Sequence, residues 1–192
     1  MRKVILVSTS PRRIAILKKF GFLKKAVNPR FDESSMLLRT DADILKAALG
    51  KLHSVKSMFD GEILVACDTV VKIGEKYIGK PKDRKDAERM MRSLSGRMHK
   101  VISYLAVHDR SSGRTHVKKE TTKVYFRKIG DEELALYLKN EDYMDKAGAY
   151  AVQDSAALFI ERIEGDYLNV VGFPLCSFHC LYKKLLDDLA NK

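Results

Sequence analysis

Residues 3–21 read KVILVSTSPRRIAILKKFG, and the way this stretch divides decides what kind of fold the rest must complete. Residues 3–8, built on the uninterrupted apolar run VILV, read as a strand buried on both faces. Ser10 stands where a helix N-cap belongs, Pro11 at the first helical position, and Gly21 just past the end of an apolar-periodic IAILKKF segment. A buried strand running straight into a helix opens a crossover unit, so the chain begins as an α/β protein.

Two hydroxyls and two arginines crowd the junction. The first turn of a helix exposes unpaired backbone N–H groups and the positive end of the dipole, and Ser8, Ser10, Arg12 and Arg13 add donors and charge there. The stretch suits phosphate, although a Ser-Pro cap followed by two solvated arginines would carry the same letters. The Walker pattern GxxxxGK[ST] is missing, which argues against P-loop kinases and GTPases.

Working outward, a helix is expected over 41–58, capped by Thr40, with Ile44, Ala48, Leu52 and Val55 on one face. EILVACDTVVKIG follows as two apolar runs interrupted by Asp68 and Thr69, then a Gly-Glu-Lys turn and YIGKP. Asp83 can cap the next helix, with Ala87, Met90, Met91 and Leu94 inward and Gly96 stopping it. The period then changes: VISYLAVHD and KKETTKVYF flank RSSGRT as a hairpin. DEELALYLKN reads as a helix, EDYMDKAGAYAVQD as irregular, ALFIERI as a strand, GDYLNVVGFP as a loop, and a final helix starts near Pro174. The expected architecture is one 1–192 domain of α/β class, a mixed twisted sheet flanked by helices, with a central cleft between two lobes.

A chain of 192 residues, 45% hydrophobic and 32% charged, can bury enough surface to fold unaided. No apolar run approaches the ~20 residues needed to span a bilayer. The four-residue apolar stretch after MRK is too short for a secretory signal, and the expected location is cytoplasmic. The three cysteines, Cys67, Cys176 and Cys180, are an odd number in a chain too long for a disulfide scaffold. Cys176 and Cys180 flank His179 without an evident fourth metal ligand nearby, so packed, reduced thiols are expected. The net charge of +11 comes from paired lysines and arginines without a basic tail, an RGG segment or an RNA-binding aromatic signature. That distribution favours a small polyanionic substrate over nucleic acid.

Among the candidate site residues, Asp68 stands out. It follows ILVAC, an apolar run expected to be buried, so its carboxylate must be paired, bind a metal or line a cleft. Asp32 and Glu33 lie in a loop after Pro29, and Lys80 is set in the turn between Gly79 and Pro81 as a point charge suited to phosphate. Lys51, within the 41–58 helix, fits either a site or solvent, and His99 is weighed as a base but precedes a strand. Hard carboxylates suit Mg²⁺ or Mn²⁺, and the basic groups suit a polyphosphate. No HExxH, CxxC or GxGxxG pattern competes.

The ordered set STSPRR, DES, ACDTVV, GKP, LSGRMH, DKAGAYAVQ and GDYLNVVGFPL resembles the Maf family, nucleoside triphosphate pyrophosphatases once named for septum formation, over about residues 4 to 185. The resemblance implies an elongated fold similar to inosine triphosphate pyrophosphatases. It implies hydrolysis of a nucleoside triphosphate to monophosphate and pyrophosphate with a divalent metal. By motif position Asp68 matches the catalytic proton acceptor and Glu33 the acidic metal-site residue. Ser8, Arg12, Arg13, Lys51 and Lys80 match phosphate-binding groups, and Arg12, Thr69 and Gln153 the positions associated with substrate choice. Gln153 and STSPRR match the dTTP and UTP branch better than the one acting on 7-methylguanosine triphosphate. The chain departs from the family pattern at Cys67, where alanine is usual, at Met98, where threonine is common, and around Lys51, where AALGKL replaces a lysine-rich LAKEKA-like run. A nucleotide- or nucleic-acid-binding regulator of cell division with little catalysis is the alternative function, and a homodimer is left open.

Overall fold

A computed structural model of the chain describes residues 2–32 and 39–190. Strand β1 (Val4–Val7) leads to helix α1 (Pro11–Lys19), strand β2 (Leu23–Val27) and helix α2 (Asp41–His53). Strands β3 (Ile63–Ile73) and β4 (Lys76–Ile78) precede helix α3 (Arg84–Leu94) and the long strands β5 (Met98–Asp109) and β6 (Thr115–Phe126). Helix α4 (Asp131–Asn140), strand β7 (Ile160–Glu164), the short helix α5 (Tyr167–Val171) and helix α6 (Leu175–Ala190) complete the order.

Among the described residues the sheet is seven-stranded, ordered β2-β1-β3-β5-β6-β7 with β4 on β3. β1 pairs in parallel with both β2 and β3, whereas β3–β4 and β6–β7 are antiparallel. The expected mixed α/β sheet is therefore present.

The chain divides into two compact units, Met1–Asp68 with Ser103–Glu120 and Gly172–Lys192, and Thr69–Ile102 with Thr121–Val171. In the first unit, Ile5, Val7, Leu64, Ala66 and Ala106 pack with Leu52, Val55 and Phe59. Phe178 of α6 meets Phe22 edge-on with ring centroids 5.0 Å apart and lies 5.5 Å from Phe173. In the second unit, Ala87, Met91 and Leu94 of α3 and Leu134, Tyr137 and Leu138 of α4 join Val71, Phe126 and Phe159. Each buried side chain of that size removes about 1.5–3 kcal/mol worth of apolar surface from water.

Local signals explain the helix starts. Thr40 caps α2 by accepting from the Asp43 N–H, and Asp43 reaches back to the Thr40 N–H. The Arg39 N–H above all, and with it the Thr40 hydroxyl and N–H, hold the Asp43 carboxyl below its ordinary range. Asp83 caps α3 through the Asp86 N–H at 2.8 Å. Ser10 occupies the N-cap of α1, but its side chain makes no capping bond.

Several expectations are corrected. The 41–58 helix ends at His53, with a separate 3₁₀ turn at Lys56–Met58. Only the second half of ALFIERI is a strand, because Ser155–Phe159 closes as a 3₁₀ helix. The expected loop at GDYLNVVGFP contains α5, and buried Asn169 donates from Nδ2 to the Val101 carbonyl and the Thr122 hydroxyl, each at 3.1 Å. Cys67 is buried as expected, but Cys176 and Cys180 are exposed. On α6 the inward positions go to Phe178, Leu181, Tyr182 and Leu185, which leaves the two thiols on another face.

Candidate active site

Ser8, the first residue after β1, is buried, and its hydroxyl accepts from the Ser10 N–H at 3.1 Å. That local turn sets the direction in which the chain enters α1. The Ser10 carbonyl accepts the first helical bond from the Ile14 N–H, with Pro11 at the first helical position. Arg12 and Arg13 follow in the first turn, both half-buried. Arg13 reaches two main-chain carbonyls: Nε donates to Gly172 at 2.8 Å and Nη1 to Cys67 at 2.6 Å.

The central pair is Lys51 and Asp68. Lys51 Nζ lies 2.5 Å from Asp68 Oδ1, and each residue is only 5% exposed. Lys51 sits on the packed face of α2 with Ala47, Ala48 and Leu52, while Asp68 belongs to the buried run of β3. A carboxylate and an ammonium buried together compensate each other's lost hydration; either alone would not be tolerated cheaply. The glycine beside Lys51 also has a steric reason. A Cβ on Gly50 would come within 2.4 Å of the Phe31 ring, so the departure at AALGKL lets the ring lie against α2.

The remaining candidates belong to the second unit. Thr69 is half-buried, Lys80 is exposed after Gly79, and Gln153 is exposed in a turn. The Gly148 N–H donates to the Gly79 carbonyl at 2.9 Å, which joins the GKP loop to DKAGAYAVQ through the main chain. Gly148 has φ +73°, and a Cβ there would approach Val71 Cγ2 to 2.8 Å, so only glycine fits. Ala149 also has positive φ, held by the Tyr137 hydroxyl donating to its carbonyl at 3.0 Å. Lys146, buried, donates to the Asp142 carbonyl and to Asp145 at 2.8 Å and lies 3.8 Å from Asp154. It thereby clamps both ends of the loop that carries Gln153. None of these supporting roles was visible in the sequence, apart from the clustering of Gly148 with small residues.

His99 belongs to the core. Its Nε2 shares a 2.7 Å hydrogen bond with the Tyr150 hydroxyl, and burial pushes its pKa down to about 4. Burial likewise raises the Tyr150 phenol above its ordinary range, so the pair is neutral at physiological pH.

Glu33, expected at the metal site, lies outside the described residues. Among the described residues no group of three or more His, Cys, Asp or Glu side chains is arranged to hold a metal. Mg²⁺ needs no such cage, since it is commonly held by one or two carboxylates together with phosphate oxygens and water. The hard oxygens of Asp68 fit that requirement as one protein ligand.

The Maf-like protein family model matches residues 3–185, and the chain belongs to that family. It is 39% identical over 186 residues to a dTTP/UTP pyrophosphatase of Dictyoglomus thermophilum, covering 96% of each chain. It is 43% identical over 173 residues to a dTTP/UTP pyrophosphatase of Pyrococcus horikoshii, covering 90% of this chain and 91% of that one. Among solved structures, the Staphylococcus aureus Ham1 protein is similar with a TM-score of 0.46 and 16% identity, over 65% of this chain and 72% of that chain. No helix among the described residues is long and apolar enough to cross a membrane.

Proposed function

We propose that this chain hydrolyses nucleoside triphosphates, dTTP and UTP foremost, to the nucleoside monophosphate and pyrophosphate. The observation that carries the reading is the buried Lys51–Asp68 pair, 2.5 Å apart, in a chain whose relatives of about 40% identity are named dTTP/UTP pyrophosphatases. Asp68 accepts the proton of the attacking water, and Lys51 holds its carboxylate in place and adds positive charge beside the phosphates. Ser8, Ser10, Arg12 and Lys80 supply donors to the triphosphate, with the first-turn N–H groups of α1 adding to them. Asp68 and Glu33 would hold a Mg²⁺ or Mn²⁺ ion, which when bound offsets charge on the phosphates. Gln153 presents one donor and one acceptor, matching N3–H and O4 of uracil or thymine, and Thr69 and Arg12 assist in substrate choice. The three cysteines are all free thiols, which accords with a cytoplasmic enzyme.

The test is pyrophosphate release by the purified protein with Mg²⁺ and a panel of nucleoside triphosphates. The expected result is turnover with the highest kcat/KM for dTTP and UTP. Tight nucleotide binding without turnover would overturn the enzymatic reading. A preference for GTP, ITP or 7-methyl-GTP would overturn only the pyrimidine assignment.

A further inference from the structure

We infer that Arg13 is a positioning residue for Asp68, acting through the main chain rather than by contacting the triphosphate. The inference rests on the proposed role of Asp68. Arg13 shares STSPRR with Arg12, but its fork is directed into the protein. Nη1 donates to the Cys67 carbonyl at 2.6 Å, and that carbonyl belongs to the peptide plane that ends on the Asp68 nitrogen. Holding this plane fixes the direction from which the Asp68 side chain leaves β3.

The second anchor keeps the first in register. Nε donates to the Gly172 carbonyl at 2.8 Å, and the same carbonyl receives the Cys67 thiol at 3.8 Å. Gly172 has φ +120°, a conformation that L side chains rarely adopt, so the backbone that presents this carbonyl to Arg13 favours glycine. Arg13 thus ties helix α1 to the strand carrying the proton acceptor and to the turn preceding α6. A planar guanidinium holds donors in fixed directions around one rigid group, whereas a lysine ammonium on a flexible stem cannot set the same two directions at once. This geometry also gives Cys67 a role: its thiol lies against the carbonyl that Arg13 binds. Arg12, about 100° around the same helix, takes the triphosphate contact in this assignment.

The experiment compares wild type with Arg12→Ala, Arg13→Ala, Arg13→Lys and Arg13→Gln in the full-length protein. Three readouts are used: kcat and KM for dTTP, affinity for a dUTP analogue with a non-hydrolysable α,β-imido bridge, and hydrogen exchange over 63–70 and 170–174. Arg13→Ala is expected to lose about 10²-fold in kcat while its affinity for the analogue stays within about threefold. Both segments should exchange faster in Arg13→Ala than in Arg12→Ala, and free guanidinium ion should restore part of kcat to Arg13→Ala. Arg12→Ala should instead weaken analogue binding. Lysine at position 13 should behave nearly like alanine; glutamine, keeping donors, should fall between and serves as the folded variant if alanine lowers the melting temperature too far. Weakened analogue binding in Arg13→Ala with kcat unchanged would overturn the assignment and return Arg13 to the phosphates. Unchanged exchange over both segments would overturn it too. If wild type itself showed no turnover, the enzymatic reading would fail, while the exchange comparison would still decide whether Arg13 anchors the strand.

Discussion

Asp68→Asn tests stability and chemistry together, because the same carboxylate balances Lys51 and is assigned the proton. The side chains of Lys51 and Asp68 are 6% and 7% exposed, so removing the negative charge leaves an ammonium in the interior with no counter-charge at that contact. Breaking a buried pair from one side costs about 3–5 kcal/mol. In a chain of this length each kcal/mol shifts the midpoint by about 2–4 °C, so the melt should fall by roughly 6–20 °C. Turnover should fall by about 10²-fold or more even at temperatures where the variant is folded, since an amide cannot serve as the base. The double variant Lys51→Met with Asp68→Asn separates the effects. It removes the stranded ammonium and should regain about 2 kcal/mol of the loss, measured by urea unfolding, without regaining turnover. Near-normal pyrophosphate release by Asp68→Asn would refute the catalytic assignment, and an unshifted melt would refute the buried pair.

Three further outcomes are expected. Gln153→Ala should narrow the kcat/KM gap between dTTP and GTP by about tenfold or more without moving the melt, because the side chain is exposed; an unchanged ratio removes Gln153 from base recognition. Gly50→Ala, which in most exposed helices gains up to about 1 kcal/mol, should here lose about 1–3 kcal/mol through the clash with Phe31, and a raised melting temperature would contradict the packing. His99 titrates near 4 folded and near 6.5 unfolded, so between those values the unfolded chain binds the extra proton and stability rises with pH. Falling from about pH 6.5 to 4 should cost about 3 kcal/mol from this group, and His99→Gln should flatten that part of the stability-versus-pH curve relative to wild type.

The features readable from the letters were those written by local rules. The β1–α1 junction carried Pro11 and Gly21, the start of α3 carried Asp83, and the β5–β6 hairpin carried Gly113 within RSSGRT. β2 carries no strand signal in its letters, because LKKAV sets two exposed lysines side by side and breaks the alternation of a half-buried strand; it is a strand because β1 offers it a parallel partner. The exposure of Cys176 and Cys180 could have been foreseen, since they share a helix with Phe178, Leu181 and Leu185 but fall outside that stripe. Within the candidate site, Asp68 announced itself as an acid ending an apolar run. Lys51 was legible in principle, seven residues after Ile44 and three after Ala48 on the packed face of α2, where a solvated lysine does not belong. The inward turn of Arg13 had no signal, because its partners are backbone carbonyls and any residue supplies those.

The Thr40–Asp43 cap gives α2 a phase as well as a beginning. Each residue of an α-helix turns the next by about 100°, and eleven positions separate the cap from the lysine that meets Asp68. A single deletion between Asp41 and Gly50 that kept the cap would swing the ammonium about a quarter-turn off β3 and leave Leu52 facing the carboxylate. Loss of four residues restores the angle only to within about 40° and draws the lysine back by about 6 Å along the axis. Evolution can therefore rewrite the letters of this helix far more freely than its length, and related chains that keep the pairing should differ in α2 by substitution while holding the interval from cap to lysine fixed.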